Sequence, residues 1–412
     1  MPDKKKNPYD INLIFESMTL DLIDSLKRNS LRHKAEEVKE GFKWEQWQSA
    51  KLRSMNAYRN RNRQIVTESM QKAEKVVDEV LIESFKGGER RFDSLWRRFI
   101  DGFLKPYRMY EKIKLQRATI KGEVELPSDF TQRKFKVPYN KLPSAPLETN
   151  FFQMNDKKLE ALQETVKKDL KKAQHGVLRK MDDVYRQVIY KAEVNMAAGA
   201  KTLNQAIDMA TKEFLEKGIN TIEYKDGRRV SITAYAEMAL RTASQRATFL
   251  GEGKKRDEWG VYTVVMSAHD NCSPMCLPYQ GTVMVDDVYT SISKADATKL
   301  SKETKFVLLS EAVKHHAFHP NCRHTLATFF PGITQLPATV DDDKAVERYD
   351  AEQHQRYLER HIRKYKRLKA GSVDEVNELR YKKKVREWQD RLENHLAEHD
   401  YLRRDRVREK AG

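Results

Sequence analysis

Cysteine is scarce in this chain: there are three in 412 residues. So small and odd a number argues against a disulfide framework and leads us to expect reduced thiols in a protein made in the cytoplasm. Long apolar runs are lacking as well. No stretch approaches the ~20 residues of a membrane span. The start, Met1-Pro2-Asp3-Lys4-Lys5-Lys6, runs into Asn7-Pro8-Tyr9-Asp10 rather than the apolar core of a signal peptide. A Gly-rich phosphate loop, a G-x-S-x-G elbow and an H-E-x-x-H helix are all missing, which removes three common routes to an enzymatic reading. Hydrophobic residues make up only 39% of the chain. That is low for one large compact enzyme and suits long helices that each bury a narrow stripe.

What the chain has in quantity is charge. Charged residues reach 34%, with a formal net charge of +17. The excess predicts attraction to polyanions, nucleic acid first. Acidic and basic residues are interspersed, so no single basic arm stands out, and solubilising helix surfaces account for the same composition.

Helical periodicity opens the chain. Asp10 can cap a helix with Ile11, Ile14, Phe15, Met18, Leu22 and Leu26 on one face, which Asn29-Ser30 is expected to break. A polar helix through Trp44 and Trp47 follows. Another runs from about Asn60 to Phe85, and Gly87-Gly88 is expected to end it. Phe92, Leu95, Trp96, Phe99, Ile100 and Phe103 form an apolar cluster that ordinary core packing explains. These make a helical region over 1–104. Pro106, Pro127, Pro138, Pro143 and Pro146 then exclude a long helix and mark a linker over 105–150. A further helical region spans 151–220, with a fresh run after Gly176.

The central module, 221–335, carries the strand signals. Thr221–Tyr224 and Arg229–Ile232 flank Asp226-Gly227 as a hairpin. Thr233 should cap a helix that Gly251 and Gly253 stop. Val261–Met266 is the strongest strand pattern, Gln280–Val285 reads as its return, residues 287–314 as irregular or helical, and Leu326–Phe330 as a last strand turned by Pro331-Gly332. The C-terminal part, 336–412, reads as a helical hairpin: one arm over about 341–370 and Gly371 as its stop. Ser372-Val373-Asp374-Glu375 is read as a capping box for the second arm, which bears Tyr381, Val385, Trp388, Leu392 and Leu396. Arms of roughly 45 Å with narrow stripes require partners, either each other or another subunit.

All three cysteines fall in two segments. The first, His269-x-x-Cys272-x-x-x-Cys276, leaves the best strand; the second is His319-Pro320-Asn321-Cys322-Arg323-His324. Cys and His donors in fours make tetrahedral zinc sites. The preferred set is Cys272, Cys276, His319 and Cys322, with His269 and His324 in reserve, and a structural zinc would clip two distant loops together. The alternative is that the cysteines are small buried hydrophobes while Asn321 and the histidines bond loop backbone. A catalytic reading is the remote third. His315, His316, Asn321 and His324 would form a one-metal nuclease, or Cys272 and His319 a nucleophile pair, but no carboxylates gather with them.

These motifs resemble the phage minor capsid protein 2 family, related to the Mu-F-like head morphogenesis proteins. The mark of the resemblance is the Cys272-x₃-Cys276 loop followed by His319-Pro320-Asn321-Cys322-Arg323. Further similar stretches are Asn7–Asp10, Tyr235–Ala243, Gly251-Glu252-Gly253, Tyr279-Gln280-Gly281, Arg386–Gln389 and Leu402–Asp405. His324 stands where some Mu-F-like relatives have cysteine. The resemblance implies a low-copy structural component of the virion, at the portal vertex or inner capsid surface. Portal and major capsid proteins would be its partners, and packaged double-stranded DNA a contact.

The expectation is therefore an α+β protein, predominantly helical and elongated, with a small central antiparallel β module and a C-terminal helical hairpin. Its expected role is structural rather than enzymatic, and its long helices are able to self-associate. The rival readings are an internal virion enzyme acting through the Cys/His loops and a plain DNA-binding protein.

Overall fold

The computed structural model describes Pro8 and residues 10–40, 44–99, 153–197, 203–217, 220–223, 229–330, 334–338 and 341–411. The expected linker over 105–150, the Asp226-Gly227 turn, the Pro331-Gly332 turn and the side chains of Trp44, Trp47, Trp96 and Phe99 lie outside the described residues. In order, the elements are α1 (Asp10–Glu40), α2 (Trp44–Phe99), α3 (Gln153–Ala197), α4 (Leu203–Lys217), β1 (Asn220–Glu223), β2 (Arg229–Ser231) and α5 (Ile232–Trp259). There follow β3 (Thr263–Met266), β4 (Val283–Val285), α6 (Lys294–Thr304), β5 (Val307–Leu308), α7 (Leu309–Lys314), β6 (Leu326–Thr328), α8 (Asp342–Gly371) and α9 (Glu375–Glu398). The fold is α+β and predominantly helical, as expected.

Two compact units divide the chain. The first comprises Met1–Val80, Gln163–Arg241 and Glu347–Gly412; the second comprises Leu81–Leu162 and Thr242–Val346.

In the first unit α1 buries Ile11, Phe15, Met18, Leu22, Ile23 and Leu26 along one face. Helix α1 runs through Asn29-Ser30 without a break. Asn and Ser are only weakly unfavourable in helices, and Asn29 is itself buried, so packing overrides local preference. Tyr58 of α2 stacks on Tyr185 of α3 with ring centroids 4.7 Å apart, and its hydroxyl donates to the Met181 carbonyl. The C-terminal hairpin forms as expected around Leu358, Ile362 and Leu392, with Trp388 and Leu396 packed on them. Its turn differs in detail. Asp374, not Ser372, caps α9 by accepting from the Asn377 amide at 3.1 Å. Ser372 instead donates to the Leu368 carbonyl at the end of α8. Asp208 of α4 accepts from the amides of Val373 and Asp374 and from Asn377 Nδ2, holding the turn from outside. Strands β1 and β2 pair antiparallel, and Ser231, two residues before the expected Thr233, accepts from Ala234 N at the start of α5.

The second unit holds a four-stranded sheet in the order β5-β4-β3-β6. The β3–β4 and β3–β6 pairs are antiparallel, but β4 and β5 run parallel, so the sheet is mixed rather than wholly antiparallel. The reason is the connection: β4 reaches β5 through α6, and a helical crossover delivers parallel strands. Residues 287–314 thus supply helix and an edge strand where sequence suggested irregular or helical chain. Val264, Val265, Met266, Met284 and Val285 are buried, and because successive strand side chains alternate, both faces of β3 and β4 are covered.

Glycines in this unit do not stop helices. Helix α2 passes through Gly87-Gly88, and α5 through Gly251 and Gly253. A Cβ on Gly88 would lie 2.1 Å from the Thr248 carbonyl oxygen, and one on Gly251 would lie 2.0 Å from that of Phe85. The missing side chains let α2 and α5 touch backbone to backbone, flanked by a Ser84–Ser244 hydroxyl contact of 2.7 Å. Gly253 makes the same close approach to Tyr289. Gly87, by contrast, has open space at its Cβ position. Gly88→Ala should therefore destabilise by about 1–3 kcal/mol or more, since backbone must shift to admit the methyl. Gly87→Ala, one residue away, should stabilise by roughly 0.5–1 kcal/mol through helix propensity alone. Urea unfolding of the two variants checks the opposite signs.

Candidate metal centre

The two Cys/His segments meet at the end of the second unit's sheet. Strand β3 ends at Met266, and Ser267 joins the exit of β3 to the segment before β6. Its amide donates to the Thr325 carbonyl, and its hydroxyl accepts from the Thr325 amide, both at 2.9 Å. The first loop then turns tightly. The amides of Cys276 and Leu277 both donate to the Ser273 carbonyl, and Leu277–Tyr279 forms a 3₁₀ turn with a proline near its start. The Cys272 amide is held by the Ala345 carbonyl at 3.2 Å. The second loop is built from residues at positive φ: His316 at 70°, Phe318 at 55° and Asn321 at 67°. Asparagine tolerates this left-handed region better than most side chains. Helix α5 steadies that loop, because Gln245 Nε2 donates to the carbonyls of Cys322 (3.2 Å) and His324 (2.6 Å).

Cys276, His319 and Cys322 are brought together, with ligand-type atoms within 4.8 Å of one another. The Cys276 and Cys322 sulfurs are 3.7 Å apart. His324 Nδ1 lies 3.3 Å from Cys322 Sγ, and its Nε2 lies 3.6 Å from Cys272 Sγ. Cys272 is therefore not in the close trio; its thiol faces His324 and donates to the Ser273 carbonyl at 3.2 Å. His269 stacks obliquely on His324 at 4.6 Å, with its Nε2 near Ser267 Oγ and the Arg323 carbonyl. His315 and His316 are exposed.

The electrostatics follow from the geometry. The Cys322 thiol beside Cys276 holds the Cys276 pKa well below its ordinary value, helped by His319 and His324, while Cys322's own pKa is pushed up by the same contact and by burial. The Cys276 contact raises the pKa of His319, favouring a thiolate–imidazolium pair. Burial, then the Cys276 charge, pushes the Cys272 thiol up to about 12. Burial and then His324 push His269 down. The trio is thus a thiolate with hydrogen-bond donors around it.

Two residues that sequence reading passed over, Gln280 and Gln245, organise this centre, and a third, Arg256, organises the unit that carries it. Gln280 Oε1 accepts from the His269 amide at 2.6 Å and lies 3.2 Å from His324 Nε2. Gln245 has been described. Arg256 of α5 is wholly buried and binds Asp286 Oδ2 through Nε (3.1 Å) and Nη2 (2.7 Å), and Glu252 Oε2 through Nη1 at 3.3 Å. Its Nη1 also reaches Thr328 Oγ1 of β6 at 3.4 Å. Asp286 Oδ1 accepts from the amides of Val288 and Tyr289, and Glu252 is further paired with Arg91 at 3.3 Å. Burial raises the Glu252 pKa against the pull of both arginines. The available signal was the i, i+4 spacing of Glu252 and Arg256, which sets an acid and a base on one helix face.

What fold and site define together is a mostly helical protein built around an α+β module whose two loops converge on cysteine and histidine. The family model of phage minor capsid protein 2 matches residues 130–397, and the chain belongs to that family. A structural protein of Lactococcus phage LL-H is 23% identical over 231 residues, which cover 55% of this chain and 61% of that protein's length. A structural protein of Lactococcus phage mv4 is 32% identical over 94 residues, 22% of this chain and 76% of that one. No solved structure matches the chain.

Replacing Arg256 by Met leaves two buried carboxylates facing each other without their shared cation. This should cost about 3–5 kcal/mol. Adding Asp286→Asn and Glu252→Gln to the same chain should recover part of the loss, and chemical denaturation of the single and triple variants measures both steps.

Proposed function

We propose that the chain is a structural component of the phage head, held at the portal vertex or inner capsid surface, where it touches packaged double-stranded DNA. Portal and major capsid proteins are the partners this reading names. Family membership supports the head, and a basic groove in the first unit carries the DNA contact. The groove has a volume of about 590 Å³ and is lined by Lys27, Lys366, Lys369, Lys382 and Arg386, with Glu378 as its one acidic side chain. Burial, then the neighbouring cations Arg404, Arg363 and Lys410, lowers the Lys366 pKa against the pull of Glu409. A phosphate entering the groove would relieve that crowding of like charge. The full chain should bind duplex DNA with log affinity falling linearly in log salt, and Lys366→Glu with Lys382→Glu should flatten the slope by about one unit per lost phosphate contact. A salt-independent affinity would remove the DNA contact. Crosslinking in assembled heads to tail proteins alone would remove the placement.

In this reading the Cys/His loops are a structural clasp that takes zinc. The donor set fits: a tetrahedral site with Zn–S bonds of about 2.3 Å puts two sulfurs about 3.8 Å apart, close to the 3.7 Å between Cys276 and Cys322. His319 Nδ1 lies 2.8 Å from the Pro320 carbonyl, as in ligating histidines that donate their other N–H to a main-chain oxygen. Cys276, His319 and Cys322 supply three ligands. Cys272 and His324 compete for the fourth place, with His269 behind them. Elemental analysis of chain purified without chelator should find stoichiometric zinc, retained in whichever of Cys272→Ser and His324→Ala leaves the fourth ligand intact; wild-type protein free of metal would end the proposal.

A further inference from the structure

A second group of metal-type donors closes helix α9, on the first unit and apart from the Cys/His loops. His395, Glu398 and His399 stand at i, i+3 and i+4, a spacing that sets all three on one helix face. Their ligand-type atoms lie within 4.8 Å of one another. His395 is buried, His399 half-buried and Glu398 exposed, which gives a floor and an open mouth.

The hydrogen bonds of the two imidazoles decide what they offer. His395 Nε2 lies 2.9 Å from the Ala351 carbonyl of α8, and His399 Nδ1 lies 2.9 Å from the His395 carbonyl. A carbonyl oxygen only accepts, so each of these nitrogens carries the proton. In the neutral rings the opposite atoms, His395 Nδ1 and His399 Nε2, hold the lone pairs. An imidazole oriented by a main-chain carbonyl through one nitrogen is the usual arrangement of a metal-ligating histidine. The site sits at the C-terminal end of α9, where the helix dipole favours a cation. His354 of α8 packs edge-on against His395 with ring centroids 4.8 Å apart, adding a third imidazole at the rim.

We propose that His395, Glu398 and His399 form a binding site for a divalent first-row transition ion of the zinc class, with two nitrogen donors, one carboxylate oxygen and water completing the shell. That donor set suits zinc, nickel or cobalt better than calcium or magnesium, which prefer oxygen alone. The ion would fasten the end of α9 through His395 to α8. The segment that follows is tied to the same helix: Gln355 donates to the Arg403 carbonyl at 2.9 Å, and Lys366 Nζ donates to the Glu409 carbonyl at 2.7 Å. Metal would therefore add to the closure of the hairpin's far end, and the site stands independently of zinc in the Cys/His clasp.

Cobalt(II) titrated into the full chain from metal-depleted buffer separates the two centres, because thiolate ligation gives an intense sulfur-to-metal charge-transfer band that nitrogen and oxygen ligands do not. The chain should take up one equivalent of cobalt without that band. Cys276→Ser with Cys322→Ser should keep this equivalent, whereas His399→Gln should lose it. Glu398→Gln, at an exposed position that cannot upset folding, should weaken it by about tenfold or more. The proposal is overturned if wild-type uptake is accompanied wholly by the thiolate band, or if the band-free equivalent persists unchanged in both His399→Gln and Glu398→Gln. Loss of the thiolate band alone would count against the clasp and leave this site standing.

Discussion

The second unit depends on one buried charge. Arg256 sits where α5, the end of β4 and β6 converge, with Arg91 of α2 joining through Glu252. A guanidinium taken out of water is tolerable only if its donors are met, and here two carboxylates and a threonine hydroxyl meet them. The same carboxylate that binds Arg256 also turns the chain after β4, since the other oxygen of Asp286 accepts two successive loop amides. Charge pairing and loop geometry thus rest on a single aspartate. The close approach of α2 to α5 at Gly88 and Gly251 brings Arg91 within reach of Glu252.

On that frame the Cys/His loops are held by side chains that bond their backbone as well as by each other. Gln245, on the same helix as Arg256, fixes the second loop by its carbonyls; Gln280 and Ser267 fix the first. The cysteines and histidines then inherit positions. Cys276 is surrounded by hydrogen-bond partners from Cys322, His319, His324 and the Phe318 backbone, and this is why its thiolate form is favoured while Cys272, a few residues earlier in the same loop, is kept protonated by burial. Such a contrast between two cysteines of one loop comes from neighbours supplied by the far segment. The α8–α9 hairpin of the first unit shows the same logic with different chemistry. An aromatic and aliphatic seam joins the arms, while Asp208 and the His395 bond to Ala351 secure its two ends.

Much of this was legible in the residues. Period alone placed the face of α1, the core of the C-terminal hairpin and β3, because burial on one side of a helix or on both faces of a strand leaves a repeat in the sequence. The cysteine and histidine types pointed to the loops that matter. The glycines misled. Gly88, Gly251 and Gly253 carry the local signature of a helix stop, but the absence of a Cβ serves contact with another segment, which local sequence does not display. The parallel β5 was missed for a related reason: two residues are too short to show a period, and only pairing with β4 makes them a strand.

By itself, then, the sequence determined the faces of the long helices, the main strand and which residues have the chemistry of a clasp, since propensity, period and side-chain type are properties of neighbouring positions. Tertiary structure decided the rest. It chose Cys276, His319 and Cys322 as the residues that converge, set Cys272 against His324, buried Arg256 between two carboxylates, and turned glycines from stops into contacts. Each of those outcomes depends on desolvation and on distances between residues far apart in the chain, and neither quantity is defined until the chain has folded.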